Sequence, residues 1–515
     1  MISIRLTSLG LLLRLRSAMV GVLSLVGACG GGSDPTAPPP PSPLPPTTLT
    51  LKAPPSVAVG GTLPISAVVT PTSPVSWVSE NLSVATVSPT GAVTGVTPGS
   101  TTIRATAGQT SATATLTVYS PTFVELVKGT QHACARSASG ALYCWGANGA
   151  GQLGSIAAPQ KNCISIVGQT GPAECSSSPV PSTSSLTFVQ VSAGGTHSCG
   201  LTGAGEAYCW GANSAHVLST ASETCSGGGL CVLTPLKVGG APVFTWIGNG
   251  FEHFCGLPAN GLAHCWGTNE FGQIGATVAE SCDGTPCTRV PVMVNGGLAF
   301  QKMSLGWYHT CGLTTAGEAY CWGWNFYGQL GIDRTSDFRS GESSPVPVAT
   351  PLRFASISAG RDHTCALTPE GIAYCWGLNT FGQLGDGTAA DYPQLALVPR
   401  AVAGGLSFNS LATGLEHTCA LTAAGIAYCW GHNFREASTE FGGQLGDGTF
   451  ETRLTPTPVA GSIAFVQLGA GRATTCGRMA TGAIYCWGSN ENAQVGAGDL
   501  STRSFTRATG VGGIP

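Results

Sequence analysis

Seven times between residues 132 and 488 the chain repeats H-x-C-x-L-T-x-x-G-x-x-Y-C-W-G or a close variant, with nine residues between the two cysteines. The copies end at Trp145, Trp210, Trp266, Trp322, Trp376, Trp430 and Trp487, at intervals of 54 to 65 residues, which is the mark of a repeat protein with loop insertions. In the fifth copy, Thr364 to Thr368 and Ile372 to Trp376 alternate as strands do, and Pro369-Glu370-Gly371 supplies a three-residue turn with glycine at its left-handed position. Folding about that turn sets Cys365 opposite Cys375. Facing residues of a non-hydrogen-bonded antiparallel pair bring their Cα atoms to about 4.5 Å, within reach of a disulfide.

The spacing therefore predicts seven cross-strand disulfides: Cys134 with Cys144, Cys199 with Cys209, Cys255 with Cys265, Cys311 with Cys321, Cys365 with Cys375, Cys419 with Cys429, and Cys476 with Cys486. Each removes at most roughly 2.5 to 3 kcal/mol of unfolded-state entropy. Six more cysteines pair within insertions, as Cys163 with Cys175, Cys225 with Cys231, and Cys282 with Cys287, which leaves Cys29 alone among 21. Thiolate metal sites would need C-x2-C spacing and four converging ligands, and a hairpin with nine residues between its cysteines supplies neither. So many disulfides imply an oxidising compartment outside the cytoplasm.

The first 28 residues agree, with Arg5, Arg14 and Arg16 ahead of an apolar run through Val20 to Val26, as in a secretory signal. Val26-Gly27-Ala28-Cys29 resembles the bacterial lipobox. The resemblance implies lipidation of Cys29, and Gly30 in place of aspartate implies the outer membrane or cell surface. Residues 29–47, with prolines from Pro38 to Pro46, read as a stiff extended tether. No other stretch is apolar and long enough to span a bilayer, so membrane association is expected through the anchor alone.

Residues 48–119 alternate Val, Thr and Ile between glycine and proline turns, as in Leu63 to Val69, Ser76 to Ser79 and Thr101 to Thr106, and predict a small β-sandwich. Val75-Ser76-Trp77-Val78-Ser79, Val84 to Ser88, Gly91 to Gly95 and Gly99 to Ile103 resemble bacterial Ig-like domains of group 2, which implies a spacer or adhesive module; Trp77 is read as core. From 122 to 515 each repeat adds a strand before the stapled hairpin, such as Phe354 to Gly360, and a closing Pro-Val segment, such as Pro345 to Val348. Four strands per unit and seven units predict a propeller. The fold class expected is thus all-β, a seven-bladed β-propeller preceded by a small Ig-like β-sandwich.

The full unit, seen in Gly360 to Thr388, resembles the repeat of the regulator of chromosome condensation. The chromatin-bound member of that family is a nucleotide exchange factor for a small GTPase, a role that an exported chain is not placed to fill. Secreted bacterial relatives include a propeller inhibitor of β-lactamases, which implies a protein-binding surface.

Histidine recurs at His132, His197, His253, His309, His363 and His417, with Thr474 in the seventh copy. Equivalent positions of a seven-fold ring stand too far apart to share one ion at about 2 Å, so these read as structural hydrogen bonds. The Gly382 to Thr388 and Gly443 to Thr449 segments lack the alternating carboxylates of a calcium loop and read as turns. Neither a metal nor a cofactor is expected. Charged residues make up 9% of the chain, with no evident acid pair, nucleophile triad or phosphate loop, and the net charge of −3 carries no basic stretch. A non-catalytic module, expected to be monomeric and without nucleic-acid affinity, follows.

The loops before H-x-C and after Y-C-W-G leave the same end of each hairpin and must share one propeller face, where the repeat varies most. Blade four gathers Trp307, Tyr308, Trp324 and Phe326 there, and blade five adds Arg361 and Asp362. These six residues are the expected binding surface for a protein or glycan partner, since aromatic groups suit both a protein hot spot and sugar stacking. Two other readings stay open: a glycan-directed hydrolase or lyase, which needs two carboxyls about 5 to 9 Å apart in a pocket on that face, and a structural or adhesion component of the envelope.

Overall fold

The computed structural model describes residues 48–510, apart from 54–55, 59–61, 120, 156–159, 164–172, 214–217, 219–222, 226–228, 390–393, 435–441 and 497–508. Cys29, the signal and the tether lie outside the described residues, as does the side chain of Cys163. Among the described residues the chain is all-β, and no helix is long and apolar enough to cross a membrane.

Seven antiparallel sheets follow one another along the chain. The fifth is representative, with strands Ser356–Ala359, His363–Leu367, Ala373–Leu378 and Leu395–Ala401 running from the axis outward. The first strand of each sheet lies against the first strand of the next, and the seventh, Gln467–Ala470, lies against Phe123–Lys128 of the first, so the ring closes as a seven-bladed propeller. The hairpin register is the expected one: His363 opposes Gly377 and Cys365 opposes Cys375. In all seven repeats the paired cysteines are joined, with Cα atoms 4.0 to 4.1 Å apart.

Four strands per blade holds only for blades four to seven. Blades one to three have five, because the insertions fold back as an extra outer strand: Gln160–Cys163, Glu223–Thr224 and Glu280–Cys282. The structure joins Cys225 to Cys231 and Cys282 to Cys287 across these added hairpins, and Cys175 is likewise disulfide-bonded. The extra cysteines therefore staple outer sheet edges rather than free loops.

The repeat motif is explained by what lies between blades. Each repeat disulfide is buried against a phenylalanine and the Trp-Gly tryptophan of the next blade, as Cys255 and Cys265 pack with Phe300 and Trp322, and Cys476 and Cys486 with Phe123 and Trp145 across the closing seam. Beside this apolar layer runs a polar latch. His309 is bonded through Nε2 to Thr364 Oγ1 of the next blade at 2.9 Å; Thr364 donates onward to Gln329 O at 2.9 Å, and Trp376 Nε1 donates to the same carbonyl at 3.0 Å. Because the hydroxyl proton is committed to the carbonyl, the histidine must be the donor, which fixes the Nε2–H tautomer. The same contacts recur from His132 to Ser198, His253 to Thr310, His363 to Thr418 and His417 to Thr475.

Two junctions lack the latch. Between blades two and three Phe254 replaces the hydroxyl and packs edge-on against His197; between blades seven and one, Thr474 replaces the histidine and Ala133 the hydroxyl. At both, a glutamine of the first strand clasps its neighbour's backbone instead. Gln190 bonds to both backbone polar groups of Ile247, at 3.0 and 2.9 Å, and Gln467 to both of Leu126, at 3.0 and 2.8 Å.

The N-terminal segment forms nine short strands in sheets of four, three and two. Its core holds Val57, Ile65, Val93, Ile103 and Leu116, with Trp77 packed against them as expected. The stretch expected as one strand from Leu63 to Val69 is broken into Thr62–Pro64 and Ser66–Thr70, because the Ile65 N–H turns aside to Gly91 O at 2.8 Å.

Candidate functional site

The two sets of loops do share one face. In every blade the residue before the histidine accepts a hydrogen bond from the residue after Trp-Gly: Thr268 N to Glu252 O at 3.0 Å, Trp324 N to Tyr308 O at 2.8 Å, Leu378 N to Asp362 O at 2.9 Å, and so around the ring. At the centre of this face the G-x-x-H glycines form a collar around an axial cavity of about 130 Å³, lined also by Lys128, Phe251, Trp307, Arg361 and Leu415. A Cβ on Gly306 would come within 2.5 Å of Gly360 O, and one on Gly360 within 2.6 Å of Gly414 O, so no larger residue lets the blades approach this closely.

The residues that follow the collar glycines differ from blade to blade. Blades three to six present Phe251 and Glu252, Trp307 and Tyr308, Arg361 and Asp362, then Leu415 and Glu416, whereas blades seven, one and two present Arg472 and Ala473, Thr130 and Gln131, then Gly195 and Thr196. The face is thus divided into an aromatic, acidic half and a half of mostly small or uncharged side chains.

The aromatic half is one continuous network. Phe251 stacks on Trp307 at 4.5 Å between ring centroids, Trp307 meets Tyr308 edge-on at 6.2 Å, Tyr308 meets Trp324 at 6.0 Å, and Trp324 stacks on Phe326 at 5.9 Å. Phe271 bridges Tyr308 and Trp324 at 5.3 and 5.5 Å, while Tyr327 and Phe338 pack on Trp324 and Phe326. The guanidinium of Arg361 lies 5.7 Å above the Trp307 ring. The expected binding residues Trp307, Tyr308, Trp324, Phe326, Arg361 and Asp362 are therefore brought together.

They do not all face the solvent. Trp324 is 8% exposed and donates through Nε1 to Phe338 O at 2.9 Å, so it is the hub that positions the other rings. Asp362 is 3% exposed and anchors Arg361, Oδ2 to Nε 2.5 Å, while Glu416 takes the other edge of the guanidinium at 3.0 Å. The contact surface that remains is Trp307, Tyr308, Phe326 and Arg361, extended by Phe251, Phe271 and the exposed Phe338. Phe271 and Phe338 went unnoticed in the sequence because one immediately precedes the G-Q-I-G turn and the other lies in a loop insertion, 14 residues beyond Trp324, where no periodicity marks them.

Electrostatics sets the tone of this half. Burial pushes the Tyr308 hydroxyl up to about 12, helped by the charges of Glu252, Glu270 and Asp362. Burial also raises Glu252, which Glu270 reinforces. Asp362 is raised by burial despite Arg361.

The recurrent histidines take the structural role expected of them. All six are buried, and five spend Nε2 on a hydroxyl of the next blade, with burial lowering each of these five to about 3. The G-Q-L-G-D-G-T segments are turns: Asp386 Oδ1 accepts from Thr388 N at 3.0 Å and from Asn379 Nδ2 at 3.1 Å, and Asp447 pairs with Arg453 at 2.7 Å. Glu280, Cys282 and Cys287 cluster closely enough for a metal, but both sulfurs are consumed in the disulfide.

The chain matches the RCC1-like domain over residues 90–402, the regulator of chromosome condensation (RCC1) repeat over 408–435 and 465–494, and the bacterial Ig-like domain (group 2) over 46–118. The first match begins inside the sandwich, whereas the first propeller strand starts at Phe123. Among relatives, the Ultraviolet-B receptor UVR8 of Arabidopsis thaliana is 31% identical over 255 residues, 48% of this chain and 54% of the relative. Protein pim1 of Schizosaccharomyces pombe is 28% identical over 350 residues, 62% of each. The chain thus spans less than two thirds of the length of either. Prp20p of Saccharomyces cerevisiae superposes with a TM-score of 0.55 at 22% identity, covering 72% of this chain and 84% of that one; human WBSCR16 gives 0.59 at 18%, covering 72% and 94%. At these identities the likeness is one of fold. With its seven stapled repeats, closed ring and matches along most of its length, the chain belongs to the RCC1-like domain family and carries a bacterial Ig-like domain of group 2 ahead of it.

Proposed function

We propose that this is an exported envelope lipoprotein, tethered through Cys29 and residues 29–47, whose propeller is a non-catalytic binding module for a protein partner. The observation that carries the reading is the continuous aromatic network centred on blade four, which is partly exposed on one half of a face whose other half is plain. Aromatic clusters with a buried hub and exposed flanks are the usual energetic centre of protein interfaces. The relatives point the same way: Prp20p is described by its binding to Gsp1p and histones and has been seen bound to Kap60, and UVR8 is a receptor. Catalysis has less support: Asp362 and Glu416 are both tied to Arg361, and neither they nor the neighbouring Glu252 and Glu270 line the axial cavity.

The test is recovery of partners from envelope extracts by the full chain and by a Trp307→Ala, Phe326→Ala variant. Loss of specific partners in the variant supports the reading; identical recovery by both overturns it. Fatty-acid labelling that survives Cys29→Ser would remove the proposed anchor.

A further inference from the structure

The aromatic half of the face contains the same chemical set twice. In one place the Trp307 ring and the carboxylates of Asp362 and Glu416 surround a guanidinium, that of Arg361. In the other, between blades three and four, the rings of Phe251, Tyr308 and Phe271 stand with the carboxylates of Glu252 and Glu270, and no cation of the chain is paired with either acid among the described residues. Elsewhere the chain pairs its acids with care. Glu125 with Arg136, Glu206 with Lys237, Glu280 with Arg289, Glu318 with Arg353, Glu342 with Arg334 and Asp447 with Arg453 are all ion pairs. Glu252 is unlike the exposed acids that need no partner, because it is largely buried and its neighbour Glu270 raises the cost of its charge. Its backbone is also fixed, since Glu252 O accepts from both Thr268 N, at 3.0 Å, and Thr268 Oγ1, at 3.2 Å. Among the groups gathered around these rings, the four carboxylates Glu252, Glu270, Asp362 and Glu416 face one guanidinium, Arg361, a formal excess of three negative charges.

Resting on the binding-module reading above, we infer that the patch formed by Phe251, Tyr308, Phe271, Glu252 and Glu270 receives an arginine side chain presented by the protein partner. A planar guanidinium matches the requirement better than a lysine ammonium, because it stacks on a ring face while its edge bonds to carboxylates, as Arg361 does next door. Charge complementarity selects the partner: an arginine-bearing segment is attracted to this half, and an acidic one is repelled.

The experiment uses the full chain and a fluorescein-labelled tetra-arginine amide, followed by fluorescence anisotropy, with tetra-lysine amide alongside. Wild-type protein should bind tetra-arginine more tightly than tetra-lysine. The Glu252→Gln, Glu270→Gln variant should bind tetra-arginine at least about tenfold more weakly. A Glu318→Gln, Glu370→Gln variant changes the net charge equally at hairpin turns on the opposite face and should stay within about twofold of wild type. Equal loss in both variants, or no binding by the wild type, overturns the inference. If Trp307→Ala, Phe326→Ala abolishes partner recovery while tetra-arginine binds no better to wild type than to the Gln variant, the binding surface stands and its arginine specificity falls; if partner recovery and peptide binding are both unaffected by their variants, both fall.

Discussion

Acid should loosen the propeller well above the pH at which carboxylates titrate. In the latch each histidine donates Nε2–H to a hydroxyl already committed to a carbonyl, and Nδ1 of His132, His253, His309, His363 and His417 meets no hydrogen-bond partner. A second proton would therefore sit on a buried nitrogen with nothing to accept from it. Burial accordingly lowers these five rings to about 3, against about 6.5 in the unfolded chain. With the folded value depressed, the unfolded state binds more protons below pH 6.5, so stability is full above that pH and is lost as pH falls toward 3. At pH 5 the loss is about 2 kcal/mol per histidine, or about 10 kcal/mol for five, comparable with the whole stability of an ordinary domain. His197, which burial lowers to about 4, adds to the loss in the same window, and Glu125, Glu252 and Asp362, which burial raises, offset part of it as they take up protons. Burial lowers Lys128 to about 7, which changes stability only above that pH, and Asp386 and Asp447, which their hydrogen bonds hold low against the pull of burial, matter only at lower pH. Guanidinium unfolding of the oxidised protein, followed by tryptophan fluorescence at pH 7, 6 and 5, measures the effect. A His363→Phe, Thr418→Val variant, which removes both members of one latch, should lose about a sixth of the pH dependence. A midpoint that stays level from pH 7 to 5, or a variant with the wild-type slope, would refute the account.

Thr364→Val keeps the side-chain shape but removes the bond to Gln329 and strands the His309 donor, and should cost about 2 to 4 kcal/mol in the same denaturation assay at pH 7. Gln467→Leu breaks both bonds of the clasp across the closing seam; a loss of about 2 kcal/mol is expected, and a change below about 0.5 would show the clasp to be idle. Gly306→Ala pushes a Cβ to 2.5 Å from a neighbouring carbonyl and should lower the thermal midpoint, whereas Gly239→Ala, in open space and without a positive φ, should leave it nearly unchanged. Mass spectrometry of unreduced protein should find all fourteen repeat cysteines oxidised, and free thiols at those positions would remove the staple from the account of stability.

The backbone plan was legible because it rests on local rules. A cysteine on each arm of a hairpin with a three-residue turn can pair in one register, and Cys365 opposite Cys375 follows from Gly371 alone. The shared loop face follows from strand direction, and the structural role of the histidines from their repetition. What was hidden depends on partners far along the chain. The residue after each histidine reads as ordinary strand alternation, and only the ring places Thr364 against His309 of the blade before. The burial of Trp324 and Asp362 could not be seen either, since both occupy variable positions; Phe338 comes over Trp324 from a loop insertion, and Asp362 is held under its own neighbour Arg361. The fifth strands of blades one to three were read as loops because short polar insertions carry too little pattern to mark a sheet edge.

Among the described residues, each sheet of the ring is built from strands that follow one another along the chain, and none takes a strand from the other end of the polypeptide. The chain could accordingly be joined between its first and last blades and reopened between any other two without dividing a sheet. Such a rearranged protein would move the open ends away from the Gln467 to Leu126 contact and make that boundary a covalent one.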